Sequence, residues 1–277
     1  MFVGKFFSKI NQKNRSHYFS GLSFNSLKIR RKNIFFSIKG NNINGNKYIK
    51  NAIENGASTI VSDLNFEGIK KKVLYIKTTN PRKLLSEIAS KYFRKKPKNI
   101  VAVTGTNGKS SIADFYFQIL RLNNIKVASI GTLGVRTHLK NFKTKNTTLD
   151  PLSLNDYLKK IKEKKIDNVI LEASSHGLKQ FRLNGLDIRI GIFSNLSRDH
   201  LDYHYSYNDY LNSKLILFKD LMKKNSKIIT DQNIPQYKII SNIAKRKKQS
   251  ITSVGLKTGS LKLIKHNYGG EAQVFKI

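Results

Sequence analysis

Asn99-Ile-Val-Ala-Val-Thr-Gly-Thr-Asn-Gly-Lys-Ser-Ser111 is the stretch on which the reading of this chain turns. Ile100 to Val103 is a short β-branched apolar run, the pattern of a buried parallel strand. After Thr104, Gly105 and Gly108 permit a tight turn in which backbone N–H groups approach a ligand closely. Lys109, Ser110 and Ser111 then open a segment with helical spacing (Ile112, Phe115, Tyr116, Ile119, Leu120), which predicts an amphipathic helix with those residues inward. Strand, glycine turn, Lys-Ser and helix together describe a phosphate cradle. Loop N–H groups and the helix N-terminus supply partial positive charge, Lys109 supplies a full one, and Ser110 offers a hydroxyl to Mg²⁺. The strict phosphate-loop spacing asks for a glycine where Val103 stands, so the motif is a variant. A nucleoside triphosphate is the expected ligand.

The composition narrows the class. A chain of 277 residues, 39% hydrophobic and 25% charged, is that of a globular protein of about two domains. With no cysteine there is neither a disulfide framework nor a thiolate metal site. No apolar run approaches the roughly 20 residues of a membrane span, and Met1 to Lys9 lacks a signal-peptide core. A cytoplasmic protein without a membrane partner is expected. The net charge of +35 would suit a nucleic-acid binder. However, the lysines are spread along the whole chain, with runs at Lys70–Lys72, Lys159–Lys165 and Lys245–Lys248, and they come with abundant Asn, Ile, Phe and Tyr. That mixture reads as a solvated surface written by an AT-rich genome, and nucleic acid is not the expected partner.

Residues 1–97 read as a small α/β domain, and 98–277 as a second domain in which strands and helices alternate, the signature of a mostly parallel, doubly wound sheet. In the first domain, strands are predicted over 33–38, 59–62 and 73–76, and helices over 48–55 and from Pro81 to about Phe93. In the second, strands are predicted over 100–103, 126–130, 168–172, 188–193, 227–230 and 251–254. Helices are predicted from Ser110, from Pro151 behind the Asp150 cap, and over 207–222 and 234–247. Residues 259–277 alternate like strands. The amide-rich loop Gly40–Asn46 reads on its own as a surface turn.

Ligands of open α/β sheets gather outside the carboxyl ends of the strands. Three chemically loaded segments fall at such ends: the phosphate loop, Glu172-Ala-Ser-Ser-His-Gly177, and Asn195-Leu-Ser-Arg-Asp-His-Leu-Asp-Tyr-His204. Glu172 at a strand tip could hold Mg²⁺ facing the phosphates. Taken singly, Glu172 could equally be solvated, His176, His200 and His204 could be hydrogen-bonded structural histidines, and Lys214 could be an exposed helical lysine. Their grouping beside the phosphate loop favours a Mg-nucleotide site.

These segments, with Asn146-Thr-Thr148, resemble the Mur ligase family, collinearly from about Phe24 to Leu221. The nearest branch adds the third residue, meso-diaminopimelate or L-lysine, to UDP-MurNAc-L-Ala-D-Glu. The histidine-bearing motifs set it apart from folylpolyglutamate synthases. The resemblance implies ATP phosphates on Gly105, Thr106, Asn107, Gly108, Lys109, Ser110 and Ser111. It implies Glu172 and His200 as Mg²⁺ ligands, and Lys214 as the lysine that the family carbamylates into a metal-bridging anion. It places the muramoyl dipeptide on Asn146, Thr147, Thr148, Ser174, Gln180 and Arg182, and the UDP-sugar on Phe24, Ser26, Asn41, Asn42 and Ile43, which reverses the plain reading of that loop. Asn25-Ser26-Leu27 departs from the family's Asp-Ser-Arg, and Ser110-Ser111 replaces the commoner threonines. Family members carry a third, C-terminal domain for the incoming amino acid, so this chain reads as a first domain with an incomplete ATPase domain. Other ligases of the superfamily, or a non-catalytic nucleotide- or nucleic-acid-binding fragment, are the alternative readings.

Overall fold

Short aromatic and β-branched runs separated by Asn-, Gly- and Lys-rich turns build the first part of the chain. A computed structural model describes residues 1–40, 43–199, 202–256, 258–269 and 272–277. It contains two compact units. One is Met1–Arg94 with Asp150–Asp156 and Gln180–Gly185; the other is Lys95–Leu149 with Tyr157–Lys179 and Leu186–Ile277.

The first unit holds β1 (Gly21–Ser23), β2 (Asn33–Phe36), α1 (Ile49–Glu54), β3 (Ala57–Ser62), β4 (Gly68–Lys70), β5 (Val73–Lys77) and α2 (Pro81–Tyr92). The strands form one sheet in the order β1-β2-β3-β5-β4, parallel except for β4. Asn33-Ile-Phe-Phe36 is buried throughout because both faces of this sheet are covered. Ile34 and Phe36 pack with Val61, Leu74, Leu85 and Ile88 on one side, and Phe35 packs with Ile49, Ala52 and Ile60 on the other. α2 starts where the sequence demands it: Asn80 Oδ1 accepts from Lys83 N at 2.8 Å and Pro81 occupies the first turn. The N-terminal segment, for which the sequence predicts no element, adds Val3, Phe6, Phe7 and Phe19 to the core.

The second unit holds β6 (Asn99–Thr104), α3 (Lys109–Leu122), β7 (Val127–Gly131), β8 (Gly134–Thr137), β9 (Asn141–Phe142), α4 (Pro151–Glu163), β10 (Asn168–Glu172), α5 (Ser175–Lys179) and β11 (Ile188–Phe193). α6 (Tyr207–Ile216), β12 (Lys227–Asp231), α7 (Tyr237–Lys247), β13 (Ser250–Gly255) and β14 (Leu261–Lys262) complete it, with a separate hairpin of β15 (Lys265–Gly269) and β16 (Ala272–Lys276). The first turns of α4 belong to the first unit. The sheet runs β14-β13-β12-β11-β6-β10-β7-β8-β9, parallel as far as β7 and closed on one edge by antiparallel β8 and β9. β6 lies between β10 and β11, with Glu172 in register with Val103 and Phe193 with Thr104. All three loaded segments therefore leave the sheet at one end.

Local details depart from the sequence reading. α3 turns Ala113 and Phe117 inward, packs Ile112 and Tyr116 against Val101, Val103 and Ile170, and leaves Phe115 and Ile119 exposed, so the apolar face is rotated from the one predicted. α7 begins only after Pro235, whose ring disfavours helical backbone at Ile234. The helix expected over 207–222 gives way after Ile216 to a π-turn, Leu217–Leu221.

Candidate functional site

The site in the second unit is built from the end of β6. Val103, standing where a glycine was expected, is fully buried and its carbonyl accepts from Ala173 N at 2.8 Å, so the strand runs on past that point. The turn falls instead at Gly105, with φ +150, and at Gly108, with φ +83, which caps α3. A Cβ on Gly105 would stand 1.9 Å from Ser194 Oγ, so only glycine fits there.

Ser194 and Asn195, at the end of β11, hold this loop. Thr106 N donates to Asn195 O at 2.9 Å, Asn107 N to Asn195 Oδ1 at 3.0 Å, and Ser194 Oγ to Asn107 O at 2.7 Å. Two of the N–H groups assigned to the anion cradle are thus already paired within the protein. The cradle narrows to Gly108, Lys109, Ser110 and Ser111, the first turn of α3, where no carbonyl lies a turn below. Thr106 Oγ1 lies 3.2 Å from Tyr210 OH and accepts from Ser197 N at 3.0 Å, so Thr106 braces the loop from behind.

Glu172, at the tip of β10, is 2% exposed and its carboxylate is enclosed by donors. Ser110 Oγ donates to Oε2 at 2.9 Å, Thr132 Oγ1 to Oε2 at 3.1 Å and Thr132 N to Oε1 at 2.8 Å. Gly131 makes this approach possible, because a Cβ there would meet Glu172 Oε1 at 2.1 Å. Thr148 Oγ1 donates to Glu172 O at 2.8 Å and lies 3.0 Å from Ser174 Oγ, while Thr147 Oγ1 lies 3.1 Å from Thr132 Oγ1. Thr147, Thr148 and Ser174 are thus gathered around Glu172. Asn146 is exposed, and its carbonyl accepts from Thr144 Oγ1.

Lys109 Nζ donates to Gly105 O at 3.0 Å and Thr106 O at 2.7 Å. Burial pulls its pKa below the ordinary lysine value, against the opposing pull of Glu172 and Asp199. Lys214 is no exposed helical lysine. It is 1% exposed, donates to the same Gly105 carbonyl at 2.7 Å and lies over the Tyr210 ring at 4.2 Å. Burial first, and the neighbouring Lys109 charge second, push its pKa down to about 7, with Asp199 opposing. His200, and in the first unit Asn41 and Asn42, lie outside the described residues.

Magnesium would find a set of hard oxygens here: the Glu172 carboxylate with the Ser110 and Thr132 hydroxyls on it. Among the described residues no group of three His, Asp or Glu side chains could hold a metal by itself. The set fits the cation that takes one or two carboxylates and completes its shell with substrate phosphate and water.

In the first unit a cavity of about 240 Å³ is lined by Phe24, Ile43, Arg82, Asp150, Gln180 and Arg182, among others. Gln180 Oε1 accepts from Arg82 Nη1 at 3.3 Å and from Arg182 Nη2 at 2.8 Å, and Arg82 Nη2 donates to Lys39 O at 3.0 Å. Four of the sequence-assigned residues, Phe24, Ile43, Gln180 and Arg182, therefore meet around one cationic cavity. Ser26 does not line it; it is buried in a 3-10 turn capped by Asn25 Oδ1, which accepts from Leu27 N at 2.9 Å. Among the described residues, no helix is long and apolar enough to cross a membrane.

Comparison with known proteins gives the family. The model of the Mur ligase middle domain covers residues 103–277, and that of the Mur ligase family catalytic domain covers 18–93. The chain belongs to the Mur ligase family. It is 37% identical over 257 residues to the UDP-N-acetylmuramoyl-L-alanyl-D-glutamate--2,6-diaminopimelate ligase of Rickettsia montanensis, over 91% of this chain and 53% of that one. A solved structure of a UDP-N-acetylmuramoyl-L-alanyl-D-glutamate--2,6-diaminopimelate ligase matches with a TM-score of 0.86 at 27% identity, over 99% of this chain and 57% of the other. The MurF ligase from Thermotoga maritima, solved in complex with ADP, shares the fold with a TM-score of 0.58 at 18% identity, over 92% of this chain and 54% of that one. This Mur ligase chain spans about half the length of the curated relatives it matches.

Several residues that touch the candidate site carry no clear signal in the sequence. Thr132 stands in Gly131-Thr-Leu-Gly134, a strand-end turn whose glycines were visible but whose hydroxyl was not singled out. Ser194 was seen only as the end of a strand. Arg82 sits on a helix with no local signal at all.

Proposed function

We propose that this chain binds ATP with Mg²⁺ on the α3 first turn, and that it forms the nucleotide- and UDP-sugar-binding part of a ligase. The reaction joins the third amino acid, diaminopimelate or lysine, to UDP-MurNAc-L-Ala-D-Glu. The observation that carries the reading is the 2.9 Å hydrogen bond from Ser110 Oγ to Glu172 Oε2, which sets a carboxylate on the hydroxyl that opens the helix of a phosphate loop. In the proposed reaction an oxygen of the D-Glu carboxylate attacks the γ-phosphorus. The bond to the β–γ bridging oxygen breaks, and ADP leaves. The amine of the third amino acid then attacks the acyl carbon and displaces phosphate.

Lys109 moves from the loop carbonyls to the outer phosphates, where its charge opposes the charge gathering on the transferred group. The N–H groups of Gly108–Ser111 hold the inner phosphates. Thr132 and Ser110 orient Glu172. The metal, when bound, would be held by Glu172 and Ser110 and would supply further charge neutralisation. His200 is proposed as a further ligand on the family resemblance. Lys214, whose pKa burial lowers to about 7, more readily offers the free amine that carbamylation by carbon dioxide requires, and as a carbamate it would carry negative charge towards the metal. Gln180, Arg182, Arg82 and Phe24 are proposed to take the UDP-muramoyl ligand in the first-unit cavity. Thr147, Thr148 and Ser174 of the second unit are proposed, on the family resemblance alone, as peptide-binding residues. The diaminopimelate or lysine is proposed to bind in a further domain, as in the longer relatives.

Calorimetry of the purified chain tests this. Mg·ATP should bind, UDP-MurNAc-L-Ala-D-Glu should raise Tm, and Lys109→Ala should weaken ATP binding by about a hundredfold, as expected for a lost charge-assisted phosphate contact of roughly 3 kcal/mol. An unchanged affinity in Lys109→Ala would remove the phosphate-loop assignment.

A further inference from the structure

His204 is the one histidine in the second unit that is both fully buried and linked on both ring nitrogens among the described residues. Nε2 lies 3.0 Å from Ser175 Oγ, and Nδ1 lies 3.3 Å from Asp209 Oδ2. Its exposure is 1%. The Tyr210 ring stands 5.0 Å from it and the His176 ring 5.6 Å, so apolar and aromatic surface surrounds the imidazole. Asp209 is acceptor-only when ionised, and it also takes Lys179 Nζ at 2.6 Å and Tyr205 N at 3.3 Å. The Asp209 contact therefore puts the ring proton on Nδ1, and leaves Nε2 to accept from the Ser175 hydroxyl. Burial, against the opposing pull of the Asp209 hydrogen bond, lowers the pKa of the ring below the ordinary histidine value.

The two partners stand on different elements. Ser175 opens α5, three residues past Glu172 and next to Ser174. Asp209 lies in the first turn of α6, whose Ser213 hydroxyl bonds Asp209 O at 2.7 Å and whose next residue is Lys214. A single imidazole thus bridges the strand-tip segment that bears Glu172 to the helix that bears Lys214. The ring nitrogens meet Ser175, Asp209 and, at 3.5 Å, Ser213, rather than the glycine turn at Gly105–Gly108, and the aromatic side chains around it would seal an apolar residue equally well. An apolar residue would fill this space with no polar partner, whereas here Ser175, 1% exposed, and Asp209, with its side chain 28% exposed, pair both nitrogens.

We infer that His204 is a positioning residue: through Ser175 and Asp209 it fixes the spacing between the Glu172 and Lys214 elements, and so sets Lys214 on the Gly105 carbonyl at the outer-phosphate end of the nucleotide site. This rests on the nucleotide-site reading above. Because the Gly108–Ser111 N–H groups are held by α3 alone, loss of His204 should spare the inner phosphates and disturb the outer end. ATP and ADP should respond differently.

The test uses the full chain. His204→Phe keeps the buried ring and removes both bonds; His204→Asn keeps a donor near the Nδ1 position; Ser175→Ala removes the other link. For folded variants, as judged by circular dichroism and Tm, His204→Phe and Ser175→Ala should weaken Mg·ATP binding by about tenfold, the lower end of what lost outer-shell partners cost, while ADP binding changes less than about twofold. His204→Asn should recover part of the loss. In the wild-type chain, the ¹⁵N shifts of the imidazole should report the Nδ1–H tautomer. Equal loss of ATP and ADP affinity, no loss of either, or an Nε2–H tautomer overturns the inference while leaving the nucleotide site standing. Should His204→Phe fail to fold, Ser175→Ala and the tautomer carry the decision. A wild-type chain that binds neither nucleotide overturns the parent reading, and this one falls with it.

Discussion

Replacing Gly131 by alanine probes the carboxylate at the centre of the site without touching it. The Gly131 backbone is one that alanine can adopt, so its cost lies in what the new methyl meets: Glu172 Oε1 at 2.1 Å, and Cδ and Cγ at 2.5 Å. Ordinary contact begins at 3.4 Å, so the carboxylate must retreat by more than an ångström. Its bonds to Ser110 Oγ, Thr132 N and Thr132 Oγ1 run from 2.8 to 3.1 Å, and such a retreat breaks at least one of them. Overpacking of this kind costs about 1–3 kcal/mol, and a hydrogen bond to a charged group is worth about 1.5–3 kcal/mol. Partial relaxation leaves an expected destabilisation of about 2–4 kcal/mol for Gly131→Ala in urea unfolding. In the Glu172→Ala background all three clashing atoms are gone, and the same methyl should cost less than about 0.5 kcal/mol. The coupling across this double-mutant cycle is the diagnostic quantity. An equal cost in both backgrounds, or no cost in the wild type, would refute the view that Gly131 exists to admit the Glu172 carboxylate.

Gly105→Ala should be harsher, since it combines φ +150 with a Cβ 1.9 Å from Ser194 Oγ. Ser194→Ala in that background should restore only part of the stability, because the backbone strain of about 1–3 kcal/mol remains; full restoration would show that the clash alone mattered. Asp209 titrates below the usual carboxylate range, first through its hydrogen bond from Lys179. A carboxylate whose folded pKa is depressed adds stability above its unfolded pKa and loses it as pH falls through the folded one. Asp209→Asn should therefore cost about 1 kcal/mol at pH 7, discounted for its partial exposure, and progressively less as pH falls through the folded pKa; a cost independent of pH would contradict this. Arg82→Met, in the first-unit cavity, should weaken UDP-MurNAc-L-Ala-D-Glu binding by about tenfold through the loss of one charge-assisted hydrogen bond while leaving Mg·ATP affinity unchanged. Isothermal titration of the two ligands separates the outcomes, and equal losses for both would argue against a cavity-specific role.

Much of the architecture is legible in local patterns. The runs 100–103, 168–172 and 188–193 read as buried strands because parallel strands covered on both faces need continuous apolar side chains. Pro81 and Asp150-Pro151 announced their helices through capping chemistry that acts within three residues. The antiparallel edge β8–β9 was not visible, since Gly134–Thr137 is short and its pairing is set by β7. The inward face of α3 was mistaken because Phe115 and Ile119 are apolar at helical spacing yet exposed, and spacing alone does not say which face meets the sheet.

The site divides along the same line. From its residues alone the chain specified a glycine turn and helix start at Gly105–Ser111 and polar strand tips at Glu172 and Asn195, because a glycine turn, a helix start and a strand end are each settled by near neighbours. Tertiary structure decided that Ser110 and Glu172, 62 residues apart, share a hydrogen bond. It also decided that Lys214 reaches across 109 residues to Gly105 and is buried there, and that Asn195 occupies the Thr106 and Asn107 N–H groups. Such contacts depend on the order in which strands assemble in the sheet, and the energy of a buried charge or a paired N–H exists only once distant segments have excluded water together.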